Sequence, residues 1–167
     1  MLYESLVIND YLAETYDSPC RPADPLARAQ LRLVVDYLDS TVNPAFFTFF
    51  MNKDPDAEPP LRAAFEATLD NLEQDLATHG GPYLCGSAYS LADVSGLPFF
   101  ERMAVALLHW KGWAFDGARH PKLVAWMALV FQREAFQKVQ LGDAKIIETY
   151  QKFRDMDYKF GGLAKGK

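Results

Sequence analysis

Cysteine and histidine are scarce: of 167 residues two are cysteine and three are histidine. The thiols, Cys20 and Cys85, are too few for a disulfide framework, and such usage suits a reducing, cytoplasmic setting. His79, His109 and His120 stand far apart, with no cysteine or carboxylate at ligand spacing around them, so no metal is expected. Basic charge is also short. Lysine and arginine number 17 against 22 aspartates and glutamates, and a net charge of −5 offers no footprint for a phosphate backbone, so no nucleic-acid partner is expected. No apolar run approaches the roughly 18 residues of a bilayer span, and the first ten residues carry Glu4 and Asp10 without the basic stretch that opens a signal peptide. No membrane association is expected. Period-two alternation, the mark of a half-buried strand, is missing throughout.

What is present is apolar mass in helical register. Half of the residues are hydrophobic, enough for one substantial core in about one domain. Ile8, Tyr11, Leu12 and Tyr16 trace one face of a short first helix from Ser5 to Tyr16. Asp17-Ser18-Pro19-Cys20-Arg21-Pro22 cannot continue it, because two of these residues are prolines without a backbone donor. Asp24-Pro25 is a helix start, and Leu26, Leu33, Val34, Tyr37 and Leu38 continue a buried stripe that Pro44 should kink. Pro60 is expected to open the next helix, with Leu61, Phe65, Leu69, Leu72 and Leu76 on one face and Gly80-Gly81 at its end. A further helix is expected from Leu91 to about Leu108, followed by a loop from Trp110 to Gly117. Pro121 begins another, and 135–140 and 144–153 supply two short last ones. The fold is therefore all-α, a helical bundle, with a strand remnant at Leu2 and Tyr3 that has nothing ahead of it to pair with. That start predicts a further N-terminal portion. Residues 1–18 form one unit, 19–23 a linker, 24–158 the bundle, and 159–167 a frayed, disordered tail. Gly161, Gly166 and Lys167 match part of a phosphate-loop pattern by accident, since no Ser or Thr and no helix can follow.

Two local motifs carry most information. Ser90-Leu91-Ala92-Asp93 is a structural capping box, the Ser90 hydroxyl accepting from the Asp93 amide and the Asp93 carboxylate reaching back to the Ser90 amide, with Tyr89 and Val94 as its hydrophobic staple. Glu4-Ser5 stands where a helix begins, so free amides and the positive end of its dipole favour a carboxylate, while Glu4 suits an ammonium. Together they fit the zwitterionic end of an amino acid, although Glu-Ser ahead of a helix also serves as an ordinary cap.

Leu2-Tyr3-Glu4-Ser5-Leu6-Val7-Ile8 with Tyr11-Leu12 resembles the end of the thioredoxin-like half of cytosolic glutathione transferases. Pro22-Ala23-Asp24-Pro25-Leu26-Ala27-Arg28-Ala29 resembles the linker and first helix of their C-terminal domain. Tyr83-Leu84-Cys85-Gly86 leading into the capping box follows in the same order, and Pro98-Phe99-Phe100-Glu101-Arg102 with His120-Pro121-Lys122-Leu123 and Trp126 is similar to the lambda and omega classes. The resemblance implies a glutathione-transferase C-terminal-like helical bundle in which Glu4 and Ser5 bind the γ-glutamyl end of glutathione, Ser5 the carboxylate and Glu4 the amino group. Glutathione would be substrate and reductant in thiol transfer to mixed disulfides, dehydroascorbate or glutathionylated small molecules. The family's catalytic Cys, Ser or Tyr lies ahead of the matched part, so the chain alone is expected to be inactive.

Phe46, Phe47 and Phe50, with Trp110 and Trp113, are candidates for the apolar second-substrate pocket, and equally for the core of the bundle. Cys20 in a flexible linker has no activating base in fixed geometry, and Cys85 reads as a small apolar core residue. A homodimer or other self-association is expected, because a bundle without its neighbouring domain leaves apolar surface uncovered. The other reading is a non-catalytic glutathione-transferase-like module that docks a protein partner.

Overall fold

The computed structural model describes residues 1–156 and Tyr158. The tail at 159–167, with Gly161, Gly166 and Lys167, lies outside the described residues.

Among the described residues eight α-helices follow in order: α1 Ser5–Thr15, α2 Pro25–Tyr37, α3 Asn43–Met51, α4 Glu58–His79, α5 Leu91–Lys111, α6 Pro121–Phe131, α7 Glu134–Gln137 and α8 Asp143–Asp155. Leu2 and Tyr3, expected as a strand remnant, form no strand; no neighbouring strand exists among the described residues to take their hydrogen bonds. Asp24 caps α2 as expected, its carboxylate accepting from the Ala27 amide at 2.7 Å. The kink expected at Pro44 takes the form of a π-helical turn at Leu38–Val42, where the Asn43 amide donates to the Leu38 carbonyl five residues back. The wider turn accommodates a proline that can neither donate nor tolerate a carbonyl beneath its ring. α4 begins at Glu58 rather than Pro60, since both Pro59 and Pro60 fit the donor-free first turn. It ends at Gly80 with φ 69°, a left-handed cap. α5 runs on to Lys111, so Trp110 belongs to the helix and not to the loop after it.

α5 is the axis of the molecule, packed against α2, α3, α6 and α8. Its entry is held by the capping box: Asp93 Oδ2 accepts from the Ser90 amide at 2.8 Å and the Ser90 hydroxyl at 3.1 Å, and Oδ1 from the Leu84 amide at 3.0 Å. The hydroxyl thus donates to the carboxylate, a bond absent from the sequence expectation. Gly96 lets neighbouring elements close on α5, because a Cβ there would stand 3.2 Å from Leu38 Cδ1 and 3.5 Å from the Trp126 ring. The segment expected as a flexible linker is docked on the bundle by hydrogen bonds. Leu91 donates its amide to the Cys20 carbonyl at 2.9 Å, and the Arg28 guanidinium donates to the carbonyls of Pro22 and Ala23.

α4 turns an acidic face toward the segment between α5 and α6. Glu66 accepts from the Trp113 indole at 2.9 Å and from Nη1 of Arg119, Asp70 accepts from Nε and Nη2 of the same guanidinium and pairs with the His120 ring, and Glu73 caps α6 by accepting the amides of Lys122 and Leu123. At the far end Lys111 donates to Glu58 at 2.6 Å and to the Asn52 carbonyl, fastening α5 to the start of α4.

Candidate functional site

α1 begins at an exposed corner. Its N-cap residue Glu4 has φ 70° and ψ 113°, a conformation that costs a residue with a Cβ about 1–3 kcal/mol and that the surroundings must hold in place. The ordinary cap expected of Glu-Ser does not form, for no side chain accepts from the first turn. The first intrahelical bond is Ile8 N to Glu4 O at 3.0 Å, which leaves the amides of Ser5, Leu6 and Val7 without an intrahelical acceptor. The side chains of Glu4 and Ser5 are both exposed, neither turned inward nor sealed off.

Beside this corner a cleft of about 310 Å³ opens between α1, α2 and α5. Leu6, Leu31, Val35 and Leu91 contribute its apolar part, and Asp10, Asp36, Asp39 and Arg32 its charged part. Arg32 and Arg21 both pair with Asp10. No cation of the described residues pairs with Glu4, Asp36 or Asp39. The Asp39 carboxyl is raised above its ordinary value, first by burial and then by the negative charges of Glu4 and Asp36. Unpaired helix amides and a concentration of unpaired carboxylates therefore stand next to each other, a charge pattern that complements a zwitterion. Glu4 and Ser5 were visible in the sequence as a pair. Asp39 was not, because the π turn that carries it interrupts the helical register from which its direction would be read.

A second cleft, of about 360 Å³, lies among α3, α5 and α8, walled by Phe47, Phe99, Arg102, Ile146, Tyr150 and Phe153. The α5 residues of the two clefts, Leu91 and Ser95, then Phe99 and Arg102, follow at steps of four, four and three, so both open along one face of that helix.

Of the five aromatic candidates for a substrate pocket, only Phe47 lines this cleft. Phe46 and Phe50 are fully buried and stack on each other at 5.6 Å between centroids; they are core and cannot touch a ligand. Trp113 is buried against Phe65, and Trp110 packs edge-on to Phe50 at 5.3 Å. A run of rings that one helix offers to several neighbours is consumed by the neighbours first. No local motif marks Arg102 or Tyr150 as a lining residue; the stripe from Leu91 to Arg102 is the sequence signal that points to Arg102.

The Cys85 thiol is half-buried and pushed up to about 11, chiefly by burial. Cys20 is half-buried in the docked linker. His120 is buried with its Nε2 on Asp70. Among the described residues no group of three or more histidine, cysteine or carboxylate side chains is placed to hold a metal ion, and no helix is long and apolar enough to cross a membrane.

Comparison with known proteins adds three findings. Residues 26–129 match the family model described as glutathione S-transferase, C-terminal domain. The chain is 28% identical over 137 residues to glutathione S-transferase DHAR2 of Arabidopsis thaliana, covering 82% of this chain and 59% of that one. It is 30% identical over 144 residues to probable glutathione S-transferase DHAR1, cytosolic, of Oryza sativa subsp. japonica, covering 86% and 62%. It thus spans about three fifths of the length of these curated relatives. Among solved structures, glutathione transferase Omega 3C from Trametes versicolor shares the fold with a TM-score of 0.81 at 23% identity, over 93% of this chain and 66% of that one.

Proposed function

The chain belongs to the glutathione S-transferase family, lambda/omega-like within it, and from that premise we propose that it supplies the helical half of a glutathione-dependent thiol transferase. Glutathione is the substrate. Ser5 binds the γ-glutamyl carboxylate through its hydroxyl and amide, and Glu4 binds the amino group. One juxtaposition supports this reading: the unpaired amides that open α1 stand beside the unpaired carboxylates of Glu4 and Asp39. The second substrate occupies the cleft beside Phe47, farther along the same face of α5. The reactions that suit the pair are reduction of mixed disulfides, dehydroascorbate or glutathionylated small molecules.

Attack by a thiol requires its thiolate, and no side chain of the described residues is placed to generate one. Cys85, pushed up to about 11 by burial, is a poor nucleophile itself. The groups that hold the cysteinyl and glycyl parts of glutathione and activate its sulfur belong, on this reading, to the thioredoxin-like half. Alone, the chain binds without appreciable turnover. It works in the cytoplasm and self-associates through the apolar side of α1.

Isothermal titration with glutathione tests the binding half of the proposal. Glu4→Gln and Ser5→Ala should each weaken binding about tenfold, the scale of a charge-assisted hydrogen bond. Unchanged binding in both variants overturns the site, and thioltransferase turnover well above background overturns the inactivity. Retention of a protein partner by both variants, without any glutathione binding, would favour the docking module.

A further inference from the structure

The corner at the start of α1 is split between two elements. Glu4 and Ser5 open α1, whereas the acidic wall beside them, Asp36 and Asp39, belongs to α2 and the π turn that follows it. Its geometry is therefore only as fixed as the placement of α1 against α2. Apolar packing does little to fix that placement. Of the α1 side chains only Ala13 is buried, and the cleft of about 310 Å³ lies between the two helices. The strained Glu4 backbone, at φ 70° without a side-chain cap, is likewise not held by hydrogen bonds of the first turn.

Charged side chains bridge the gap. Asp10, two thirds of the way from Ser5 to the start of the last turn, accepts from Nη2 of Arg32 on α2 at 3.3 Å. Its other carboxylate oxygen stands 3.6 Å from Nε of Arg21, which also donates from Nη2 to Glu14, one turn farther along α1, at 3.3 Å. Arg21 is anchored in turn, because its neighbour Cys20 accepts the Leu91 amide at the start of α5. Asp10 thus ties α1 both to α2 and, through the linker, to α5. Arg21 Nε is buried and makes no hydrogen bond to any described residue, so a small approach of α1 would complete its bond to Asp10.

We propose that Asp10 is a positioning residue for the glutathione corner: through Arg32 and Arg21 it sets where Glu4 and Ser5 stand against Asp36 and Asp39. Ser5 lies five residues away, about 7.5 Å along the helix axis, so Asp10 acts on the start of α1 through the helix. Partly exposed ion pairs add little to global stability, and the effect is confined to α1 and the corner it carries. The inference rests on reading that corner as the γ-glutamyl site, and it adds the residue that holds the two parts of the site in register.

The test combines hydrogen exchange with glutathione titration. Asp10→Asn should speed exchange of the α1 amides about fivefold, leave those of α4 unmoved and weaken glutathione about fivefold. Asp10→Glu keeps the charge and should recover most of both losses. Arg21→Gln combined with Arg32→Gln should reproduce both, and adding Asp10→Asn to that pair should change nothing further. A further loss of glutathione in the triple variant would make Asp10 a direct ligand and overturn the positioning role. Unchanged α1 exchange, faster α1 exchange with full glutathione affinity, or equal acceleration in α4 overturns it as well. Should Asp10→Asn fail to fold, the two arginine substitutions carry the same test. A wild type that binds no glutathione removes the site and this role with it, whereas unchanged α1 exchange in a protein that binds glutathione removes the role alone.

Discussion

Trp126 on α6 donates its indole N–H to Oδ1 of Asp93 on the first turn of α5 at 2.8 Å, and both residues are buried, at 1% and 0% exposure. With the Ser90 amide, the Ser90 hydroxyl and the Leu84 amide, the one carboxylate accepts from a helix start, from the segment before it and from a neighbouring helix. No cation of the described residues forms an ion pair with it; the donors themselves make the burial tolerable.

Asp93→Ala should therefore cost far more than an ordinary cap. Removing it orphans the buried donors together, and a loss of about 3–5 kcal/mol is expected, against about 0.5–2 kcal/mol for Ser90→Ala. Urea unfolding midpoints of the two variants check the ratio. Equal small losses would mean that water replaces the carboxylate.

Acid should loosen the contact between α4 and the segment that precedes α6. Asp70 is held below its ordinary 3.8 chiefly by the hydrogen bonds of Arg119. At Glu66 burial raises the carboxyl, but bonds from Arg62, Trp113 and Arg119 outweigh it and bring it below 4.5. Both folded values lie under the unfolded ones, so the stabilisation is complete above the unfolded values and is lost as pH falls through the folded ones. Urea midpoints should be level down to about pH 5 and fall below about pH 4, and Arg119→Gln should flatten that fall. A variant with the same acid slope as the wild type would sink the assignment.

Cys85 should resist alkylation in the folded protein. A thiol near 11 in place of 9.0 carries about a hundredfold less thiolate at pH 8, before any shielding by Tyr83 and the Ser90 segment is counted. Mass spectrometry of peptides after iodoacetamide, folded and in urea, reads the ratio. Rapid labelling of Cys85 in the folded chain would contradict its burial.

The helices were legible because each has its own signal: Asp24-Pro25 for α2, the leucine stripe for α4, and Ser90 to Asp93 for α5. The capping box spans four consecutive residues and needs no knowledge of the fold. Its Trp126 partner lies 33 residues away, and no local pattern points across that interval. Glu66, Asp70 and Glu73 look in sequence like a solvated helix face, yet they hold Trp113, Arg119, Lys122 and Leu123. Phe46 and Phe50 show the converse: ring composition says that a surface is apolar, but not whether a ligand or Phe65 and Tyr150 will cover it. Glu4 and Ser5 were legible only as a pair at a helix start, and the acidic wall opposite them depends on the packing of α2 against α1 and α5.

Self-association tests whether the apolar side of α1 seeks cover. Val7 and Tyr11, one helical turn apart, are 52% and 51% exposed, and Leu12 is 44% exposed. Such side chains packed against a second surface would gain about 25 cal/mol for each Å² removed from water, and association follows where the shared patch is large enough to offset the lost translational and rotational freedom. Light scattering across concentrations should show a mass that rises above one chain. Val7→Lys with Tyr11→Glu should return it to one chain without lowering the urea midpoint, because neither side chain contributes to the buried core. A wild type that stays monomeric at every concentration would mean that this face is tolerated in water, and the association proposed for it would fall.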